Sequence, residues 1–239
     1  GHQGGDPGVT TENHHSLGRI LGDLKSEKFG EELRGSWSTA VLYRVPSLFL
    51  VWGLARLRVG PMTVSAVAVL LALSLPAQAY ALPLTLAPVC VALSGMLFQV
   101  LDCADGTLAR VLDRTSKVGG HVDFLTDMMQ WGLLYLALGI LADRTLGTGW
   151  GWTAVAGAGA WTRLLARVVR DRLSDGANGP PPPVTPMNAV PVFLAGISGL
   201  IPFLAFTGDW LGAAVLALLI YGVLDVLEGL IPLLAMLRR

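Results

Sequence analysis

The feature that most limits this fold is a succession of apolar runs, each close to the length a helix needs to cross a bilayer, about 20 residues. Six stand out, at 62–82, 83–101, 122–142, 149–169, 188–207 and 210–234. Composition agrees. Of 239 residues, 53% are hydrophobic and only 14% are charged, against about a quarter charged in soluble domains. Mean hydropathy is +0.58. These values argue against a disordered chain, a coiled coil or a water-soluble globule. The 17 basic and 17 acidic residues cancel, so no nucleic-acid partner is expected. Two cysteines, Cys90 and Cys103, are too few for a disulfide framework or a zinc site.

The expected fold is therefore an all-α membrane protein of six transmembrane helices. Ahead of them, residues 37–59 are apolar but interrupted by Pro46, Arg44, Arg56 and Arg58. Proline and arginine are costly in a lipid-exposed helix, so this segment reads as an amphipathic helix lying in the cytoplasmic interface, with a seventh span as the alternative. A charged helix near 17–33 precedes it. Residues 1–16 read as a disordered tail, part of it an expression remnant. The domains are then the tail, a juxtamembrane region at 17–60 and a transmembrane catalytic domain at 61–239.

Charge placement sets the orientation. With both termini, the loop at 102–121 and the loop at 170–187 on one side, sixteen of the 17 basic residues share that side and Arg144 alone faces the other. Basic residues gather on the cytoplasmic side, so the chain is expected to be a multi-pass protein of the cytoplasmic membrane with both ends in the cytoplasm. Trp150, Trp152 and Trp210 then fall in the outer aromatic belt. Within 170–187, Gly179–Pro183 reads as a stiff linker.

One stretch carries chemistry. Asp102 and Asp105 are three residues apart, and Asp123 and Asp127 are four apart, so each pair shares a helix face. A short loop carrying Arg110 joins their helices, which makes the helices neighbours. Acids at membrane depth are expensive and mark function. Four carboxylates in one pocket require cations, and hard divalent ions with oxygen ligands suit them best. Gly106 and Ala109 let a ligand approach the backbone. The plainer alternative is that these aspartates cap helix ends and pair with Arg110, Arg114 and Lys117.

The residues Asp102, Asp105, Gly106, Ala109, Arg110, then eight residues, then Gly119, Asp123 and Asp127 resemble the signature of the CDP-alcohol phosphotransferase family. The resemblance covers about residues 37–236. It implies a homodimeric integral membrane transferase of phospholipid biosynthesis. Such an enzyme moves a phosphoalcohol group from a CDP-linked lipid donor, here CDP-diacylglycerol by expectation, to a small polar alcohol acceptor and releases CMP. It further implies that Asp102, Asp105, Asp123 and Asp127 hold two divalent cations, Mg²⁺ or Mn²⁺. Asp105, Gly106, Ala109, Arg110 and Gly119 would line the nucleotide pocket, and Asp127 would also act as general base. Where the family shows Pro-Asn and a following Thr, this chain has Pro61-Met62-Thr63-Val64-Ser65, without the Asn; Ser65 is the expected nucleotide contact. Asp127 is followed by Met128-Met129-Gln130, not by the basic residue common in members that use glycerol phosphate or inositol phosphate. A CDP-lipid hydrolase and a cation transporter remain as rival readings.

Arg163, Arg167 and Arg170 recur at i, i+4, i+7 and form one basic stripe. They are candidate acceptor contacts, or side chains snorkelling to headgroups. Asp225 and Glu228 read as a structural ion pair with that stripe. His121 reads as a loop residue, and Cys103 as pointing away from the acids. Gly157-Ala158-Gly159-Ala160 permits close helix approach to the same chain or to another.

Overall fold

A computed structural model describes residues 37–174, 193 and 196–237, apart from the side chains of 172–174 and 232–237. The expected tail at 1–16, the charged helix near 17–33, the linker at 179–183 and the beginning of the 188–207 run lie outside the described residues. Every described element is helical. Helix α1 covers Trp37–Arg56 and includes a π-helical stretch at Ala40–Arg44. It is followed by α2, Pro61–Ala81, α3, Ala87–Val111, α4, Lys117–Leu146, and α5, Gly151–Ser174. A 3-10 helix at Ile197–Phe206 and a 3-10 turn at Gly208–Trp210 lead into α6, Leu211–Leu237.

Among the described residues, five helices are long and apolar enough to cross a membrane: Trp37–Arg56, Pro61–Ala81, Ala87–Val111, Lys117–Leu146 and Gly208–Ile231. Four of them coincide with expected spans. Of the other two expected spans, α5 does not meet that measure and the 188–207 run is described only in part. Helix α5 is long enough but too polar, with Arg163, Arg167 and Arg170 in its second half. Within the 188–207 run, Ile197–Phe206 forms a 10-residue 3-10 helix containing Pro202, which cannot continue an α-helical ladder.

Helix α1 differs from the sequence expectation in how its polar groups are placed. Arg44, Ser38 and Ser47 are buried, while Val41, Leu42, Val45 and Phe49 point outward. Arg44 and Ser47 therefore meet protein, and the lipid-facing side is apolar. Tyr43 Oη donates to the Gly199 carbonyl at 2.5 Å, and Ser38 Oγ donates to the Gly196 carbonyl, so α1 is bolted to the 3-10 helix. A 20-residue helix is about 30 Å long. Nevertheless Thr39 and Ala40 near its start, and Gly60 and Pro61 just past its end, line one cavity.

The acidic stretch is helical throughout. The loop expected at 102–121 shrinks to residues 112–116, because α3 continues to Val111 and α4 begins at Lys117. Asp113, in the left-handed backbone region at φ 52°, ends the first helix, and Ser116 Oγ caps the second by accepting from Gly119 N at 3.0 Å. At the opposite end, Asp143 ties α4 to the start of α5. Its carboxylate accepts from Trp152 N at 2.9 Å, Thr153 N at 2.8 Å, Thr153 Oγ1 at 2.7 Å and Thr148 Oγ1 at 2.9 Å. An anion at a helix N-terminus also meets the favourable end of the dipole.

Lipid supplies little hydrophobic drive between helices, so close packing at small residues does more of the work. A Cβ on Gly139 of α4 would lie 2.6 Å from Ala156 Cβ of α5, and one on Gly159 would lie 3.3 Å from Leu219 Cα of α6. The neighbour of the Gly157–Ala160 stretch thus includes the last helix of the same chain. Two apolar clusters result. One joins Leu134, Leu138 and Leu141 to Val91, Ala156 and Val215; the other joins Leu48 and Val51 of α1 to Ala68, Phe98 and Leu108.

Candidate active site

Two adjoining cavities, of about 870 and 720 Å³, open where α1 to α5 meet. Asp102, Gly120, Asp123, Thr39 and Arg167 line both, so the two are one divided space. The helix period explains the arrangement. Asp102 and Asp105 lie one turn apart on α3, and Asp123 and Asp127 one turn apart on α4, so each helix presents an acidic edge to the gap between them.

The first cavity collects Asp105, Gly106, Ala109, Arg110, Gly119 and Ser65, all of the expected nucleotide contacts. Ser65 Oγ donates to Asp105 Oδ2 at 2.5 Å and brings α2 into the site. Arg110 donates to Thr107 Oγ1 at 3.1 Å, which steers its guanidinium along the cavity wall. A Cβ on Gly106 would stand 3.7 Å from the Arg110 guanidinium, an ordinary contact distance.

The second cavity holds Asp127, together with Trp131, Arg163, Gln99 and Ser198. Arg167 Nη2 stands 3.9 Å from Asp127 Oδ2 and over the Phe124 ring. Of the basic stripe, only Arg163 and Arg167 line this cavity. Arg163 donates to Asp225 Oδ2 at 2.8 Å and to Tyr221 Oη at 3.4 Å. Arg170 pairs with the other Asp225 oxygen and lines neither cavity. Asp225 is therefore the shared partner of two of the three arginines, as the structural ion-pair reading expects.

Cys103 lies between the acids and lines the first cavity, where its carbonyl accepts from Arg44 at 3.4 Å and from Thr107 Oγ1 at 3.0 Å. One other expectation, for His121, is corrected. His121 is not in a loop: it lies in the first turns of α4 and lines the second cavity. Sequence reasoning also missed Thr39, Ala40 and Arg44 as wall residues. No local signal could have found them, since they arrive through the packing of α1.

The donor set suits a hard cation, being four carboxylates on one space. Among the described residues, however, no three His, Cys, Asp or Glu side chains stand close enough to ligate one ion as they are. The acids converge as helix edges around a shared space, with Asp105 hydrogen-bonded to Ser65 and Asp127 facing Arg167. Compared with known proteins, the chain matches no protein-family model and no curated protein.

Proposed function

We propose that this protein is a CDP-alcohol phosphotransferase of the membrane, transferring a phosphatidyl-type group from a CDP-linked lipid donor, CDP-diacylglycerol, to a small polar alcohol. The observation that carries the reading is that all eight motif residues and Ser65 line one pair of joined cavities. A motif match by chance has no reason to produce a common space. The proposed arrangement has six crossings, including α5 and the 188–207 run, with α1 in the cytoplasmic interface and two copies forming a homodimer. The interfacial placement of α1 rests on its interruption by Pro46, Arg44, Arg56 and Arg58; a seventh crossing, which its length and apolar character allow, is the alternative. Proposed orientation rests on the basic-residue asymmetry.

The roles of the side chains follow from their positions. The nucleotide enters the first cavity, where small Gly106 and Ala109 admit it and Arg110 offers a guanidinium to its phosphates. Asp102, Asp105, Asp123 and Asp127 would hold two divalent cations, Mg²⁺ or Mn²⁺, which supply charge neutralisation and polarisation at the transferring phosphorus. The acceptor enters the second cavity, where Asp127 takes the hydroxyl proton. Arg167, beside Asp127, provides positive charge for an anionic part of the acceptor, and Arg163, one turn away on α5, adds to it. The acceptor oxygen bonds to phosphorus, the phosphorus–oxygen bond to CMP breaks, and CMP leaves with the electron pair.

The test is CMP release by the purified protein in detergent with CDP-diacylglycerol and Mg²⁺ or Mn²⁺. The acceptors are glycerol 3-phosphate, inositol 1-phosphate, inositol, serine, ethanolamine and water. Metal-dependent release with one alcohol is expected. Release with water alone would make the protein a hydrolase, and no release with any acceptor would overturn the reading.

A further inference from the structure

One turn deeper than the acids, the second cavity has an uncharged polar floor. Gln99 precedes Asp102 by three residues on α3, and Gln130 follows Asp127 by three on α4. Each is therefore about 4.5 Å further along its helix, away from the 112–116 loop. Gln99 lines the cavity and is 4% exposed; Gln130 sits behind it, fully buried. Gln99 Nε2 donates to Gln130 Oε1 at 3.4 Å, a long bond. Gln130 Nε2 has no hydrogen-bond partner.

Two amides carry four donor hydrogens and two acceptor oxygens, and here one long bond serves both. Burying amide groups at membrane depth without partners is costly. A pair kept only to join α3 to α4 would be cheaper as apolar residues of the same size, such as the neighbouring Phe98 and Leu134. Turning both amides over would present the Gln99 amine to the cavity in place of its oxygen and still leave one bond. A hydroxyl group, which both donates and accepts, satisfies either arrangement. Ser198 and Thr39 add further hydroxyls to the same lining.

We infer that Gln99, backed by Gln130, is a specificity-determining contact that reads an uncharged hydroxyl of the acceptor, at the floor of the cavity whose walls carry Asp127, Arg163 and Arg167. The inference rests on the transfer reading above. It divides the second cavity into a charged upper part, for the reacting oxygen and any anionic group, and a neutral floor for a further hydroxyl. A site built to hydrogen-bond a hydroxyl rejects analogues that lack it, because its own polar groups are then left unpaired.

The test measures acceptor and donor KM for wild type and for Gln99→Met, Gln99→Asn and Gln130→Met, using CDP-diacylglycerol and whichever acceptor of the panel above supports CMP release. The Met variants keep unbranched side chains of similar volume, and the Asn variant keeps the amide but withdraws it. Thermal stabilisation by CDP checks that each variant is folded. The acceptor KM is expected to rise about tenfold in both Gln99 variants, the size of one lost hydrogen bond to a buried partner, and less in Gln130→Met. The donor KM is expected to stay within about twofold, since Gln99 lines only the second cavity. An unchanged acceptor KM in the folded Gln99 variants, with CMP release intact, would overturn the inference and leave the transfer reading standing. A wild type that releases no CMP with any acceptor would overturn both.

Discussion

Ser65 Oγ donates to Asp105 Oδ2 at 2.5 Å. Ser65 and Asp105 lie on different helices, both are almost completely buried, and both face the larger cavity. The bond fixes which way the Asp105 carboxylate points. Ser65→Ala would leave that buried oxygen without its donor. The expected result is a loss of about 1 kcal/mol in stability and a several-fold higher KM for the CDP donor. Detergent melting curves and CMP-release kinetics check the two. A donor KM identical to wild type would separate Ser65 from the nucleotide pocket.

Asp127 is the proposed base. Asp127→Asn removes its proton acceptor while leaving the shape of the second cavity and its distance to Arg167. Transfer is expected to fall by at least about 100-fold, the lower end for loss of general-base catalysis. CDP should still raise the melting temperature, because Asp127 does not line the first cavity. Substantial transfer in this variant would exclude Asp127 as base.

Chelation tests the cation requirement separately. Treating the protein with EDTA is expected to stop CMP release, and Mg²⁺ or Mn²⁺ to restore it. Asp102→Asn should weaken that restoration, raising the metal concentration needed, since Asp102 lines both cavities. Release that persists in EDTA would remove the divalent ions from the mechanism.

Asp225 joins Arg163 and Arg170 between α5 and α6, and the three are not equivalent. The Arg163 side chain is 17% exposed and Asp225 7%, but Arg170 is 52% exposed. Removing the carboxylate with Asp225→Ala strands a largely buried cation, with an expected cost of about 3 kcal/mol. Arg170→Ala breaks a half-exposed pair and should cost less than about 1 kcal/mol. Melting curves compare the two directly; equal losses would mean that Arg163 finds another partner.

Close helix contacts make a further test independent of function. A Cβ on Gly222 of α6 would lie 2.3 Å from Thr162 Oγ1 and 3.3 Å from Arg163 N. Gly222→Val is expected to destabilise by about 2 kcal/mol through overpacking. At Gly53, where nothing lies within 4 Å, substitution by Ala should leave the melting temperature unchanged or raise it, since Ala is the better helix former. A tolerated Gly222→Val would contradict the α5–α6 packing.

The sequence by itself determined the all-helical membrane character, the places of four spans and the eight residues of the acidic motif. It could do so because these are local properties: apolar length, and a helical period that places Asp102 with Asp105 and Asp123 with Asp127. It misjudged the 102–121 loop because charged residues usually mark helix ends, whereas here the acids sit inside α3 and α4. Only the tertiary structure decided that Arg163 and Arg170 share Asp225, that Arg44 turns inward and that Gln99 meets Gln130. Each of those depends on the rotation of one helix against another. That rotation is set by packing over the whole interface, such as Gly159 against Leu219, and not by the residues nearby in the chain.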